Sequence, residues 1–305
     1  MFDDKFRSFF KFFWLLPLIA APGLILLGYY EAHQEHLVSF QGNTYSHPRG
    51  IHLTGKKLSI SANQQVCLTK KFAAPGSLRV VALASAPGSG NTWTRHLLES
   101  ASGIYTGSIY KDKKLYRAGF YGEYEDYVAG TVLVVKCHRF KAENSEKFET
   151  AIVLVRNPYK AMISEYNRIL TGKNHTAVAN PSDFSGEEWT FFVRQMGDKW
   201  FGIIDKWLAK DPNIHVVFYE NLLKDKRTEL EKMLEFLNID IDPARLDCTI
   251  ANQEGSFHRK STNEFDPFTD ELKTYLDEKI RRAQDLLTAF RKPLLPEEYF
   301  AKDFR

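Results

Sequence analysis

The chain has 305 residues, 44% of them hydrophobic and 26% charged, a composition that excludes a disordered chain and allows a sizeable core. Its 41 basic residues nearly balance 38 acidic ones, so the net charge of +3 gives no ground for a nucleic-acid partner. Cys67, Cys137 and Cys248 have neither metal-ligand spacing nor the density of a disulfide scaffold, which predicts no metal site and leaves any pairing among them open.

The run 12–30 (FFWLLPLIAAPGLILLGYY) carries no charge and is long enough to cross a bilayer as a helix. Lys5, Arg7 and Lys11 precede it and Glu31 and Glu35 follow. The positive-inside rule then makes 1–11 a cytosolic tail, 12–30 a signal anchor and the remainder lumenal. No small-residue cleavage site closes the run, which favours an uncleaved anchor over a signal peptide. The sequon Asn174-His175-Thr176 agrees with a lumenal domain and marks a candidate glycosylation site.

Residues 31–77 read as a stem and entry segment, with a short strand at 57–60 or 65–69. Across 78–305, short β-branched runs alternate with helical patterns. The runs 79–85, 131–135, 151–155 and 214–219 suit strands buried on both faces. Helices are predicted over 92–100, 159–170, 187–210, 222–237 and 270–290. The aromatic stripe of 187–210 reads as a buried helix face rather than a ligand groove. This alternation predicts one α/β domain with a central parallel sheet flanked by helices, similar to a P-loop fold.

Chemistry concentrates at the strand ends. Pro87-Gly88-Ser89-Gly90-Asn91-Thr92-Trp93 lies between a strand and a helix, where glycines let amides converge on an anion and the helix N-terminus adds partial positive charge. Ser89, Asn91 and Thr92 offer side-chain donors, but no Gly-Lys-[Ser/Thr] follows, so this is not a Walker A loop. Lys136-Cys137-His138 places a cation and a titratable base after the next strand, on the same sheet edge. Arg156-Asn157-Pro158 opens a helix carrying Ser164, and both Arg156 and Ser164 suit a second phosphate. A basic loop, Phe257-His258-Arg259-Lys260-Ser261, comes later in the chain.

In this order, the motifs from about residue 79 to 269 resemble the sulfotransferases that use phosphoadenosine phosphosulfate (PAPS). The resemblance implies that the loop 87–93 takes the donor's 5′-phosphosulfate, with Trp93 stacked on the adenine. It makes His138 the general base, and Arg156, Ser164, Arg259 and Lys260 the 3′-phosphate contacts. Tyr219, in Tyr219-Glu220-Asn221, is implied near the adenine. A narrower resemblance is to the WSC-domain-containing Golgi sulfotransferases. It rests on the loop itself, Arg95, Gly103-Ile104-Tyr105-Thr106-Gly107-Ser108 and Gly119-Phe120-Tyr121-Gly122-Glu123. It implies a carbohydrate acceptor, with sialic acid on a glycoconjugate as its specific form, although no cysteine-rich WSC module lies between the hydrophobic run and the motifs.

The wider family has a lysine where Gly88 stands, so another cation is needed beside the leaving phosphate. Arg95, folding back toward the loop, and Lys136 are the two candidates. Tyr105, Tyr110, Tyr116, Tyr121, Tyr124 and Tyr127 form either an acceptor wall or the packing of a long loop. Two other classes stand beside the transferase: a P-loop kinase or ATPase, and a non-catalytic membrane protein that keeps the fold.

Overall fold

A computed structural model describes residues 66–139, 145–172, 179–253 and 265–300. The hydrophobic run 12–30, most of the stem, Asn174 and the basic loop at 257–261 lie outside these residues. Among the described residues no helix is long and apolar enough to cross a membrane.

Five parallel strands form the sheet: β1 (Val81–Ser85), β2 (Gly107–Ser108), β3 (Val135–Cys137), β4 (Thr150–Val155) and β5 (His215–Phe218), in the order β2-β3-β1-β4-β5. The order reverses direction at β1, so the crevice at its C-terminal end is the topological switch point where open α/β sheets bind ligands. Every residue of β1, β3 and β4 is buried, as a sheet covered on both faces requires.

Alternate residues serve two cores. Ala82, Ala84, Val153, Val155 and Phe218 face α3 (Pro158–Leu170), α4 (Gly186–Lys210) and α8 (Asp270–Ala289), where Trp189, Trp200, Trp207 and Leu276 are buried. The aromatic stripe of α4 is therefore core. Leu83, Ile152, Leu154 and Val217 face α1 (Asn91–Ser102), α6 (Lys226–Phe236) and α7 (Pro243–Ala251). Fully burying one such large apolar side chain is worth about 1.5–3 kcal/mol.

Several element boundaries differ from the sequence expectation. The third strand runs Val135–Cys137 rather than 131–135, so Lys136 lies within it, although the Leu133 amide still donates to the Tyr105 carbonyl at 2.9 Å upstream. The helix expected over 222–237 is two, α5 (Tyr219–Lys224) and α6. Asp225 leaves helical geometry between them, at φ −137° and ψ 79°, and its carboxylate caps α6 by accepting the Thr228 amide at 3.1 Å. A short helix α2 (Lys113–Arg117), capped by Asp112, and α7, capped by Asp242, had no periodic signal.

In place of a strand at 65–69 there is a 3-10 turn, Val66–Leu68. A disulfide joins Cys67 to Cys248 of α7, and Cys137 is a buried free thiol. The bridge spans 181 residues, a long loop to leave open in the unfolded chain. Reduction is expected to destabilise the domain by about 2–5 kcal/mol. Thermal unfolding with and without reductant checks this, and an unchanged midpoint would contradict it.

Candidate active site

The loop after β1 turns through two left-handed residues, Gly88 at φ +81° and Gly90 at φ +88°. A Cβ at Gly88 would lie 2.1 Å from the Ala161 carbonyl oxygen of α3, and one at Gly90 would lie 2.4 Å from the Tyr219 ring. Glycine is thus required at both positions by conformation and by close approach. Among the described residues no side chain caps α1, which leaves its first-turn amides for an anion. The Ser89 hydroxyl is buried with no hydrogen-bond partner among the described residues, an arrangement that costs stability unless a ligand completes it.

Asn91 departs from its expected role as a donor to the ligand. Its amide donates to the Leu83 carbonyl at 3.0 Å and to Ser85 Oγ at 3.1 Å, which ties the helix start to β1. Trp93 is buried, donates Nε1–H to the Gln253 carbonyl at 2.7 Å, and meets Tyr219 edge to face at 5.5 Å.

Arg156 leaves the end of β4 beside this loop. Its Nη1 donates to the Gly88 carbonyl at 2.8 Å, and its guanidinium lies 4.5 Å from the centre of the Tyr219 ring. Nε of Arg156 is buried and has no hydrogen-bond partner among the described residues. Ser164 lies on α3, between Ala161 and Glu165, the two residues that close the space around Gly88. The cradle, the orphaned Ser89 hydroxyl and the orphaned guanidinium nitrogen fit a ligand with two phosphate-like groups.

His138 stands just past β3, across β1 from Arg156. Its Nδ1 lies 2.9 Å from the Ser85 carbonyl oxygen and 3.2 Å from Ser85 Oγ. A carbonyl only accepts, so Nδ1 carries the proton and Nε2 keeps its lone pair. The Tyr110 ring stacks on the imidazole at 5.6 Å, and the His138 amide donates to Tyr110 Oη at 2.7 Å. Burial, and then the charge of Lys136, push the His138 pKa well below the ordinary histidine value. Lys136 is itself buried, with its ammonium 5.8 Å from the centre of the Tyr110 ring. Burial first, and then the Arg95 charge, bring its pKa down to about 8.

Arg95 is a correction. It does not fold back toward the phosphate loop. Its side chain is fully buried, donates Nε–H to Thr106 Oγ1 at 2.7 Å and Nη2–H to the Thr106 carbonyl at 3.2 Å, and pairs through Nη1 with Glu123. Glu123 also accepts the Asp112 amide at 3.0 Å. Arg95 thus fixes the segment that carries Tyr105 to Tyr124, and of the two cations considered to replace the loop lysine only Lys136 has no such commitment.

Two cations were not anticipated. Lys199 of α4 and Arg168 of α3 both bear electrostatically on His138. Arg168 is bound bidentately by Glu165, with contacts of 2.5 and 2.7 Å, while burial lowers the Lys199 pKa. Their only sequence signal was the i,i+3 spacing of Glu165 and Arg168. Of the tyrosines, Tyr110 serves His138, whereas Tyr116, Tyr121 and Tyr124 are exposed and meet in edge-to-face pairs at 5.1–5.5 Å. Arg259 and Lys260 lie outside the described residues.

The family description "Sulfotransferase domain" matches residues 79–285. The chain is 39% identical over 213 residues to WSCD family member GA21586 of Drosophila pseudoobscura pseudoobscura, covering 68% of this chain and 66% of that protein. It is 37% identical over 218 residues to WSCD family member AAEL009094 of Aedes aegypti, covering 70% and 67%. The match thus spans about two thirds of these relatives' length. Among solved structures, a mouse sulfotransferase, SULT7A1 complexed with PAP, superposes with a TM-score of 0.45 at 18% identity, covering 76% of this chain and 92% of that one.

Proposed function

The chain belongs to the PAPS-dependent sulfotransferase family, and from that premise we propose that it transfers a sulfuryl group from PAPS to a carbohydrate hydroxyl, with sialic acid on a glycoconjugate as acceptor. The observation that carries this reading is the convergence of the uncapped loop, orphaned Ser89 and Arg156 donors, and neutral His138 at one sheet edge. Lys136 and Lys199, whose charges act on His138, favour an acceptor with an anionic group, and the exposed tyrosines suit a sugar ring. The disulfide, the charge-free run and its flanks support a Golgi signal anchor with a lumenal catalytic domain at 78–305.

PAPS, when bound, supplies an electrophilic sulfuryl group and a phosphate leaving group. The loop amides, Ser89 and Thr92 bind one anionic end, and Arg156, with Ser164, Arg259 and Lys260, binds the other. Tyr219 and Trp93 bound the base site. His138 accepts the acceptor hydroxyl proton at Nε2, held in that tautomer by the Ser85 carbonyl. Lys136 holds positive charge beside the reacting groups, in a buried setting where it acts strongly. A kinase reading has less support, because the residue before Thr92 is Asn91, whose amide is tied to β1.

Two limbs of the pH–rate profile are expected. A lowered His138 pKa keeps the base neutral well below the usual histidine range, so activity persists as pH falls through 6.5. Lys136 loses its proton near pH 8, so activity falls above that value. Lys136→Arg removes this titration and is expected to move the alkaline limb upward; an unmoved limb would mean that Lys136 is not its source.

The acceptor is tested with radiolabelled PAPS on a sialylated glycoprotein before and after sialidase. Incorporation lost with the sialic acid is the expected result. Incorporation that survives sialidase assigns another sugar, and none on any glycan contradicts a carbohydrate acceptor.

A further inference from the structure

From the buried contacts behind Arg156, we infer that Tyr299, at the far end of the chain, is a positioning residue for the donor's 3′-phosphate contact; this rests on the donor reading above. The peptide unit joining Arg156 to Asn157 is held at both of its polar atoms. Trp200 Nε1 of α4 donates to the Arg156 carbonyl at 2.9 Å, and the Asn157 amide donates to Glu220 Oε1 at 3.0 Å. The Tyr299 hydroxyl donates to the other carboxylate oxygen, Glu220 Oε2, at 2.5 Å, and lies 3.3 Å from the Val155 carbonyl oxygen. Asn157 Nδ2 donates to the Glu298 carbonyl at 3.4 Å, so the 3-10 turn Glu297–Tyr299 contacts the β4 end twice.

Tyr299, Glu220 and Asn157 are all buried. A buried carboxylate needs its oxygens satisfied, and Tyr299 satisfies the one that Asn157 leaves. Without that hydroxyl the carboxylate is free to rotate, and it no longer fixes the peptide from which the Arg156 guanidinium extends toward Gly88. Tyr219, the residue before Glu220, lies against that guanidinium and against Gly90. One dipeptide therefore touches the donor loop with its first side chain and braces the arginine's backbone with its second. Arg156 Nε, which has no hydrogen-bond partner among the described residues, is the group whose aim this bracing controls.

Because Tyr299 sits behind the arginine and not in the site, its removal affects recognition of the 3′-phosphate rather than nucleotide binding as a whole. Calorimetric titration of the 305-residue chain with adenosine 3′,5′-bisphosphate and with AMP reads this as a ratio of affinities. Tyr299→Phe is expected to weaken the bisphosphate about fivefold, the value of one hydrogen bond, and to leave AMP within about twofold. Glu220→Gln, which keeps volume and one acceptor, should lower the same ratio. Equal weakening of both nucleotides, or an unchanged ratio in a folded Tyr299→Phe protein, would overturn the positioning role. The donor reading fails separately, taking this inference with it, if the unmodified chain shows no preference for the bisphosphate or if Arg156→Ala retains it.

Discussion

Replacing His138 with alanine is expected to lower turnover by about 100- to 10,000-fold, the usual contribution of general-base catalysis, and to leave nucleotide affinity nearly unchanged. The split arises from placement. His138 hydrogen-bonds to the Ser85 carbonyl and stacks on Tyr110, on the β3 side of β1, whereas Arg156 lies on the β4 side. His138→Gln keeps a polar side chain but no base, and should be as inactive. Single-turnover kinetics with saturating PAPS check the result. Turnover within about tenfold of the unmodified protein would remove His138 from the mechanism.

Gly88→Lys restores the residue that the wider family carries, yet it is expected to abolish donor binding rather than improve catalysis. The Cβ would be placed 2.1 Å from the Ala161 carbonyl oxygen and 3.1 Å from Glu165 Cβ, at a φ of +81°. Left-handed strain of about 1–2 kcal/mol and overpacking of about 1–3 kcal/mol must both be relieved by moving the loop or α3. Either movement displaces the Gly88 carbonyl that anchors Arg156. A lower unfolding midpoint together with lost bisphosphate binding is the expected outcome. A variant with faster turnover would show that the loop accommodates the lysine and that Lys136 is not its replacement.

The ends of β1, β4 and β5 were legible in sequence because buried parallel strands announce themselves as β-branched runs, whereas the run 131–135 stops two residues short of the end of β3 and the two-residue β2 has no such run. Ser89, His138, Arg156 and Tyr219 all come to the one sheet edge that the C-terminal ends of parallel strands share. Less legible was the role of each polar side chain once there. Asn91 turns back to β1, and Arg95 pairs with Glu123, a partner 28 residues away that no periodicity links to it. The same limit hid Lys199 and Arg168, whose charges on helices α4 and α3 act on His138, and Tyr299, which meets Glu220 across 79 residues. The cysteine pairing was equally closed to sequence, since Cys67 and Cys248 are brought together by the packing of α7.

The central claim is that the edge formed by the loop after β1 and by Arg156 is a PAPS site. Thermal unfolding of the 305-residue chain with adenosine 3′,5′-bisphosphate, ADP and ATP tests it most directly, with no need to know the acceptor. A ligand at 100 times its dissociation constant stabilises a fold by about 2.7 kcal/mol, a readily measured shift. Selective stabilisation by the 3′-phosphorylated nucleotide, lost in Arg156→Ala, is the predicted result. An equal response to ADP and ATP, or no response from folded protein, would contradict it.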